Sequence, residues 1–152
     1  MRSRGNLTQS VLNSVGFIHC HLDNGKTYKV FSFSDFIALA QIADVSTRPT
    51  PEFAIYVVTS SGTFALTIKD KIGLKKKLNT MKLFIKNYET IMEEKFKLTD
   101  NLQTQIKGLL KFMKENGFSN MIDLYQKDET DQKWQRLALN RNETEVEPKK
   151  CD

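Results

Sequence analysis

Between Phe53 and Leu98 the apolar period of the chain changes from two to alternating threes and fours, and this change constrains the fold more than any other feature. Phe53-Ala54-Ile55-Tyr56-Val57-Val58-Thr59 is rich in the β-branched and aromatic residues that suit a pleated, half-buried surface. Ser60-Ser61-Gly62 follows, and glycine supplies the positive φ of a tight turn. Thr63 to Ile68 then alternates apolar with polar. A turn tip at Ser61-Gly62 pairs Val57 with Leu66 and Ile55 with Ile68, and gathers Phe53, Ile55, Val57, Phe64, Leu66 and Ile68 on one core face. Beyond it, Leu74, Leu78, Met81, Ile85, Tyr88 and Met92 form an apolar helical stripe. No Pro or Gly interrupts Leu74 to Leu98, which predicts one long helix.

The same stretch holds the charge. The chain carries a formal +5, yet Lys69 to Lys86 alone contributes +6, from seven lysines against Asp70. The remaining residues therefore sum to −1. This is a near-neutral chain with one basic element, and electrostatic attraction to a partner is concentrated there.

An earlier segment has the same pattern. Phe17 to Leu22 leads into Asp23-Asn24-Gly25-Lys26, and Asn-Gly is a strong hairpin signal before Thr27 to Phe31. At an offset of 37 residues, Ile18 falls on Ile55, Cys20 on Val57, Gly25 on Gly62 and Phe31 on Ile68. A short helix follows over Asp35 to Ala43, with Ser34 as N-cap. The pattern predicts two ββα units in tandem. In this register Ile18, Cys20, Leu22 and Phe31 face the helices. Phe17, His19, His21, Tyr28 and Val30 face away, joined by Tyr56 and Val58.

The expected class is therefore α+β, with a four-stranded antiparallel sheet from two hairpin–helix units. A capping box at Asp100 and Gln103 and a stop at Gly117 predict a further helix, packed as a hairpin against the long basic one. Met121 to Tyr125 and Trp134 to Leu139 suit an added C-terminal hairpin, with a helix over Ser119 to Tyr125 as the alternative. One domain is expected over residues 15–139, with a polar arm at 1–14 and a charged, flexible tail at 140–152.

Cys20 and Cys151 form no paired motif, no apolar run is long enough to span a bilayer, and Asn6 to Ser10 is too polar for a signal peptide. These features predict an intracellular chain with no membrane contact, in the cytoplasm or associated with a virion. No nucleotide-binding, hydrolase or metalloprotease motif occurs, and paired acids such as Glu93-Glu94 and Asp128-Glu129 lie in highly charged segments. No enzyme and no cofactor are expected. His19 and His21 share a strand face, but Cys20 points the opposite way and no other histidine exists. Only a tertiary contact with an acid would complete a zinc site, so no metal is expected.

Two surfaces remain as candidates. Lys71, Lys75, Lys82 and Lys86 fall near one helical stripe with Lys76 close by, an arrangement suited to the phosphates of a nucleic acid. Phe17, His19, His21, Tyr28 and Tyr56 would form an aromatic and imidazole surface for bases or for a protein partner, including a second copy. The preferred expectation is a nucleic-acid-binding protein acting through the lysine helix. The alternative is an assembly or adaptor protein, of phage or mobile-element origin, that meets protein partners through the sheet face and tail.

Overall fold

A computed structural model describes residues 15–22, 24–49 and 53–150. The chain is α+β; the described residues form four helices on a six-stranded mixed sheet. In order the elements are β1 (Gly16–Cys20), α1 (Phe33–Val45), β2 (Ala54–Thr59), β3 (Gly62–Ile68), α2 (Lys71–Leu83), α3 (Ile85–Lys95), α4 (Leu102–Glu115), a single 3-10 turn (Phe118–Asn120), β4 (Ile122–Lys127), β5 (Trp134–Leu139) and β6 (Val146–Lys150). The strands lie side by side in chain order. β1 runs parallel to β2, and every later pair is antiparallel. Among the described residues no helix is long and apolar enough to cross a membrane.

The central hairpin keeps its predicted faces but not its predicted register. Ser60 and Ser61 form the turn, Thr59 pairs with Gly62, and Val57 lies opposite Phe64 and Ile55 opposite Leu66. This is two residues from the expected pairing. A slip of two preserves every side-chain direction, so Ile55, Val57, Phe64, Leu66 and Ile68 are all buried as predicted. The Thr59 hydroxyl accepts from Ser61 N–H and donates to the Gly62 carbonyl, which closes the shorter turn.

The first predicted hairpin is absent, and with it the tandem ββα repeat. The chain does turn at Asn24-Gly25, where Gly25 has φ +71°. The returning residues form no strand, because Val30 and Phe31 are fully buried in the core. β1 pairs instead with β2, reached through α1, in a βαβ connection. The expected four-stranded antiparallel sheet is thus a six-stranded mixed one. The predicted C-terminal hairpin is present as β4 and β5. Beyond it, residues 146–150 pair with β5 as β6, where composition predicted a flexible tail. The arm predicted at 1–14 lies outside the described residues.

The long helix is broken at Phe84, whose φ of −118° and ψ of 34° separate α2 from α3. Leu74, Leu78 and Met81 bury the inner side of α2, which packs on α1, whereas α3 packs on α4. The break leaves Leu83, Phe84 and Ile85 exposed. The helix beyond starts one residue later than its predicted capping box, at Asn101, whose side chain accepts from Thr104 N–H. Gly117 ends it with φ +73°, as expected.

Gln105 joins the loops to this framework. It is fully buried in α4. Its amide nitrogen donates to the carbonyls of Lys97, Leu98 and Asp100, and its oxygen accepts from Lys29 N–H at 2.7 Å. Truncation would leave the Leu98 carbonyl and the Lys29 N–H without these partners, whereas the Asp100 carbonyl keeps Lys29 Nζ and the Lys97 carbonyl keeps Asp100 N–H. Gln105→Ala is expected to cost about 2 kcal/mol, measured by urea unfolding, since each of the two part-buried groups left unpaired costs roughly 1 kcal/mol, the lower end of the usual range.

The β4–β5 turn has its own anchor. Asp128 accepts from Thr130 N–H, and also from Asp131 N–H and the Gln135 amide. The backbone bond from Thr130 is the leading cause that holds the Asp128 carboxyl below its ordinary value of 3.8. The unfolded chain takes up this proton first as pH falls. The contribution to stability is therefore present above pH 3.8 and lost below it, through the lower folded value. A carboxyl-carbon NMR titration should place the Asp128 midpoint below 3.8, and Thr130→Pro, which removes the N–H, should raise it.

Candidate functional site

The structure divides the lysines that sequence placed on one stripe. Lys71 turns inward at the start of α2. Its ammonium donates to the carbonyls of Ser46 at 2.8 Å and Arg48 at 2.9 Å, and lies 4.7 Å from the centre of the Phe53 ring. Lys75 pairs with Asp44 at 3.2 Å and donates to the Asp44 carbonyl. Both ammonium groups thus serve the C-terminal end of α1, where carbonyls lack helical partners and the helix dipole favours a cation. Lys69 pairs with Asp123 at 3.0 Å, and Lys77 lies 4.9 Å from the Phe118 ring centre. The remaining three, Lys76, Lys82 and Lys86, are exposed and make no hydrogen bond or ion pair among the described residues. Lys82 and Lys86 flank the exposed Leu83-Phe84-Ile85 bend.

The predicted aromatic and imidazole surface does not form as one surface. Because β1 joins β2 in parallel, Phe17 lies opposite Ile55 and His19 opposite Val57, so both share the helix-covered face. The antiparallel hairpin assumed from sequence inverted these positions by one residue. Tyr28 packs edge-on against Phe96 at 5.0 Å, also in the helical layer. Burial, followed by the nearby Glu93 and Glu89 carboxylates, raises the Tyr28 phenol above its usual 10.0. Ile18 and Cys20, expected inside, are exposed instead.

Of the predicted set only Tyr56 lies on the open sheet face. There it meets Trp134, with ring centres 5.7 Å apart. Tyr56, Ala65, Thr67, Tyr125 and Trp134 line a shallow cleft, and the small Ala65 side chain leaves room for the rings above it. Tyr125 and Trp134 were visible in the sequence as members of a C-terminal hairpin. Their meeting with Tyr56 follows from the strand order, which no local pattern reveals.

His19 and His21 converge, and a third residue joins them. Their Nε2 atoms are 3.0 Å apart, and His19 Nε2 is 3.2 Å from Asp35 Oδ1 in the first turn of α1. One ligand atom from each residue lies within 4.8 Å of the others. Helix α1 starts two residues earlier than predicted, capped by Ser32 rather than Ser34. Asp35 Oδ2 consequently accepts from both Ser32 N–H and Ser32 Oγ–H. His21 Nδ1–H donates to the Tyr28 carbonyl at 2.7 Å, while His19 Nδ1 is buried without a partner among the described residues.

A cleft of about 500 Å³ lies between α4 and β5. Its charged groups are largely satisfied by one another: Asp123 by Lys69 and Arg136, and Glu143 by Lys114. No protein-family model matches the chain, and no curated protein or solved structure shows significant similarity to it.

Asp35 thus holds the start of α1 as well as facing the imidazoles. Asp35→Ala should lower stability by about 1–2 kcal/mol in denaturant unfolding, the usual loss on removing a helix N-terminal partner.

Proposed function

We propose that the protein is a small non-enzymatic binding protein that contacts nucleic acid, or a similar polyanion, through the exposed side of the α2–α3 bend. The observation that carries this reading is the division of the lysines. Four are engaged within the fold, whereas Lys76, Lys82 and Lys86 face solvent with no partner among the described residues. From Lys71 to Tyr88 there is no acidic residue to oppose them. Such a surface attracts phosphates by charge and reads little sequence.

Lys71 and Lys75 drop out of the binding set, because using them would cost the contacts that hold α1. Three phosphate contacts imply that affinity for duplex DNA falls about forty-fold between 50 and 200 mM salt. Fluorescence anisotropy with DNA and RNA should show this, and a Lys82→Glu, Lys86→Glu double change should weaken binding more than about tenfold. Lys75→Gln should leave binding nearly intact. Absence of binding at low salt, or binding indifferent to salt, would refute the proposal.

The open-face rings favour a second reading, an assembly or adaptor protein that meets a protein partner through Tyr56, Tyr125 and Trp134. Under that reading Trp134→Ala abolishes partner capture while the lysine changes leave it unaltered.

A further inference from the structure

We propose that His19 Nε2, His21 Nε2 and Asp35 Oδ1 bind one divalent transition-metal ion, with zinc as the reference metal. The spacing fits. Metal–ligand bonds of about 2.0–2.1 Å at angles near 90–110° place neighbouring ligand atoms about 2.9–3.4 Å apart. The two separations involving His19 are 3.0 and 3.2 Å. One ligand atom from each of the three residues lies within 4.8 Å of the others, and binding would draw the His21 and Asp35 side chains together around the ion.

The surrounding contacts orient the ligand atoms. A carbonyl cannot donate, so the 2.7 Å contact with Tyr28 requires the proton on His21 Nδ1 and leaves Nε2 with a lone pair when the ring is neutral. Ser32 occupies Asp35 Oδ2 and leaves Oδ1 for the imidazoles. Metal-binding histidines and carboxylates are held by this kind of outer contact. Among the described residues nothing accepts from or donates to His19 Nδ1, so a proton on Nδ1 frees Nε2 as the third donor.

Electrostatics point the same way. With both rings neutral, an anionic oxygen and an imidazole lone pair face the same small space, and a single proton on His19 Nε2 is left to hold all three groups. A divalent cation satisfies every donor at once. Two imidazoles with one carboxylate suit zinc and its neighbours in the transition series; calcium and magnesium prefer oxygen alone. The His19 side chain is 27% exposed and that of Asp35 10%, so an ion can reach the group from solvent. The bound ion would clamp the edge strand β1 onto the first turn of α1. This site is separate from the lysines at the bend, and its test does not depend on polyanion binding.

The test uses the full chain, stripped with chelator and dialysed against zinc, with metal analysis and competition against a chromophoric chelator. Uptake of about one zinc per chain is expected, and His19→Ala and His21→Ala should each weaken it by about a hundredfold or more, since even outer-contact losses cost roughly 10–100-fold. Cobalt substitution should give visible ligand-field bands with no thiolate charge-transfer band. The cobalt spectrum of the unmodified protein tests the ligand set even where a variant fails to fold by circular dichroism. No stoichiometric uptake, uptake retained in both folded histidine variants, or a thiolate band that disappears in Cys20→Ser would each overturn the proposal; the first would leave the cluster a hydrogen-bonded triad only.

Discussion

Five aromatic rings hold the helical layer together, and the rest of the structure is arranged around them. Phe33 stacks on Tyr88 at 4.8 Å and Phe112 stacks on Phe118 at 5.6 Å, while Phe36 meets both Phe112 and Phe118 edge-on. These residues come from α1, α3, α4 and the 3-10 turn, so one cluster fixes four segments distant in sequence. Stacked and edge-on pairs add about 0.5–1.5 kcal/mol each beyond the burial of their area. The cluster gives a physical reason for the break at Phe84. Helix α2 must lay Leu74, Leu78 and Met81 inward, and the next segment must bring Tyr88 onto Phe33. The chain changes direction between those two demands.

The same cluster prepares the metal-ligand group. Phe33 and Phe36 anchor the first turn of α1 in the core, and Asp35 between them is left facing β1. From the other side, buried Gln105 ties down Lys29, next to Tyr28, whose carbonyl orients His21. The convergence of His19, His21 and Asp35 is thus fixed from both directions by packing outside the triad.

Charge is likewise apportioned by packing. The lysine stretch reads as a single basic stripe, but Lys71 and Lys75 donate to carbonyls at and just beyond the C-terminal end of α1. Cations spent on a helix terminus are not available to a partner. Lys76, Lys82 and Lys86 form the smaller group with no hydrogen bond or ion pair among the described residues, and Lys82 and Lys86 flank the apolar residues that the break itself exposes.

The sequence alone determined the elements with strong period and clear punctuation: the central hairpin and its core face, a helix with the Leu74, Leu78 and Met81 stripe, the helix ended by Gly117, and the hairpin after it. It also determined where the positive charge lies. These are local properties, set by alternation, helical spacing and turn residues within a few positions. The tertiary structure decided the rest. Val30 and Phe31 gain more by burial under the helices than by pairing beside β1, so the first hairpin gives way to a parallel edge strand and His19 and His21 turn to the opposite face. Asp35 joins them across a connection of fourteen residues or more, and Tyr56 meets Trp134 across two intervening strands. Those meetings depend on which strands become neighbours. That is a competition among long-range burials, and no short stretch of sequence records its outcome.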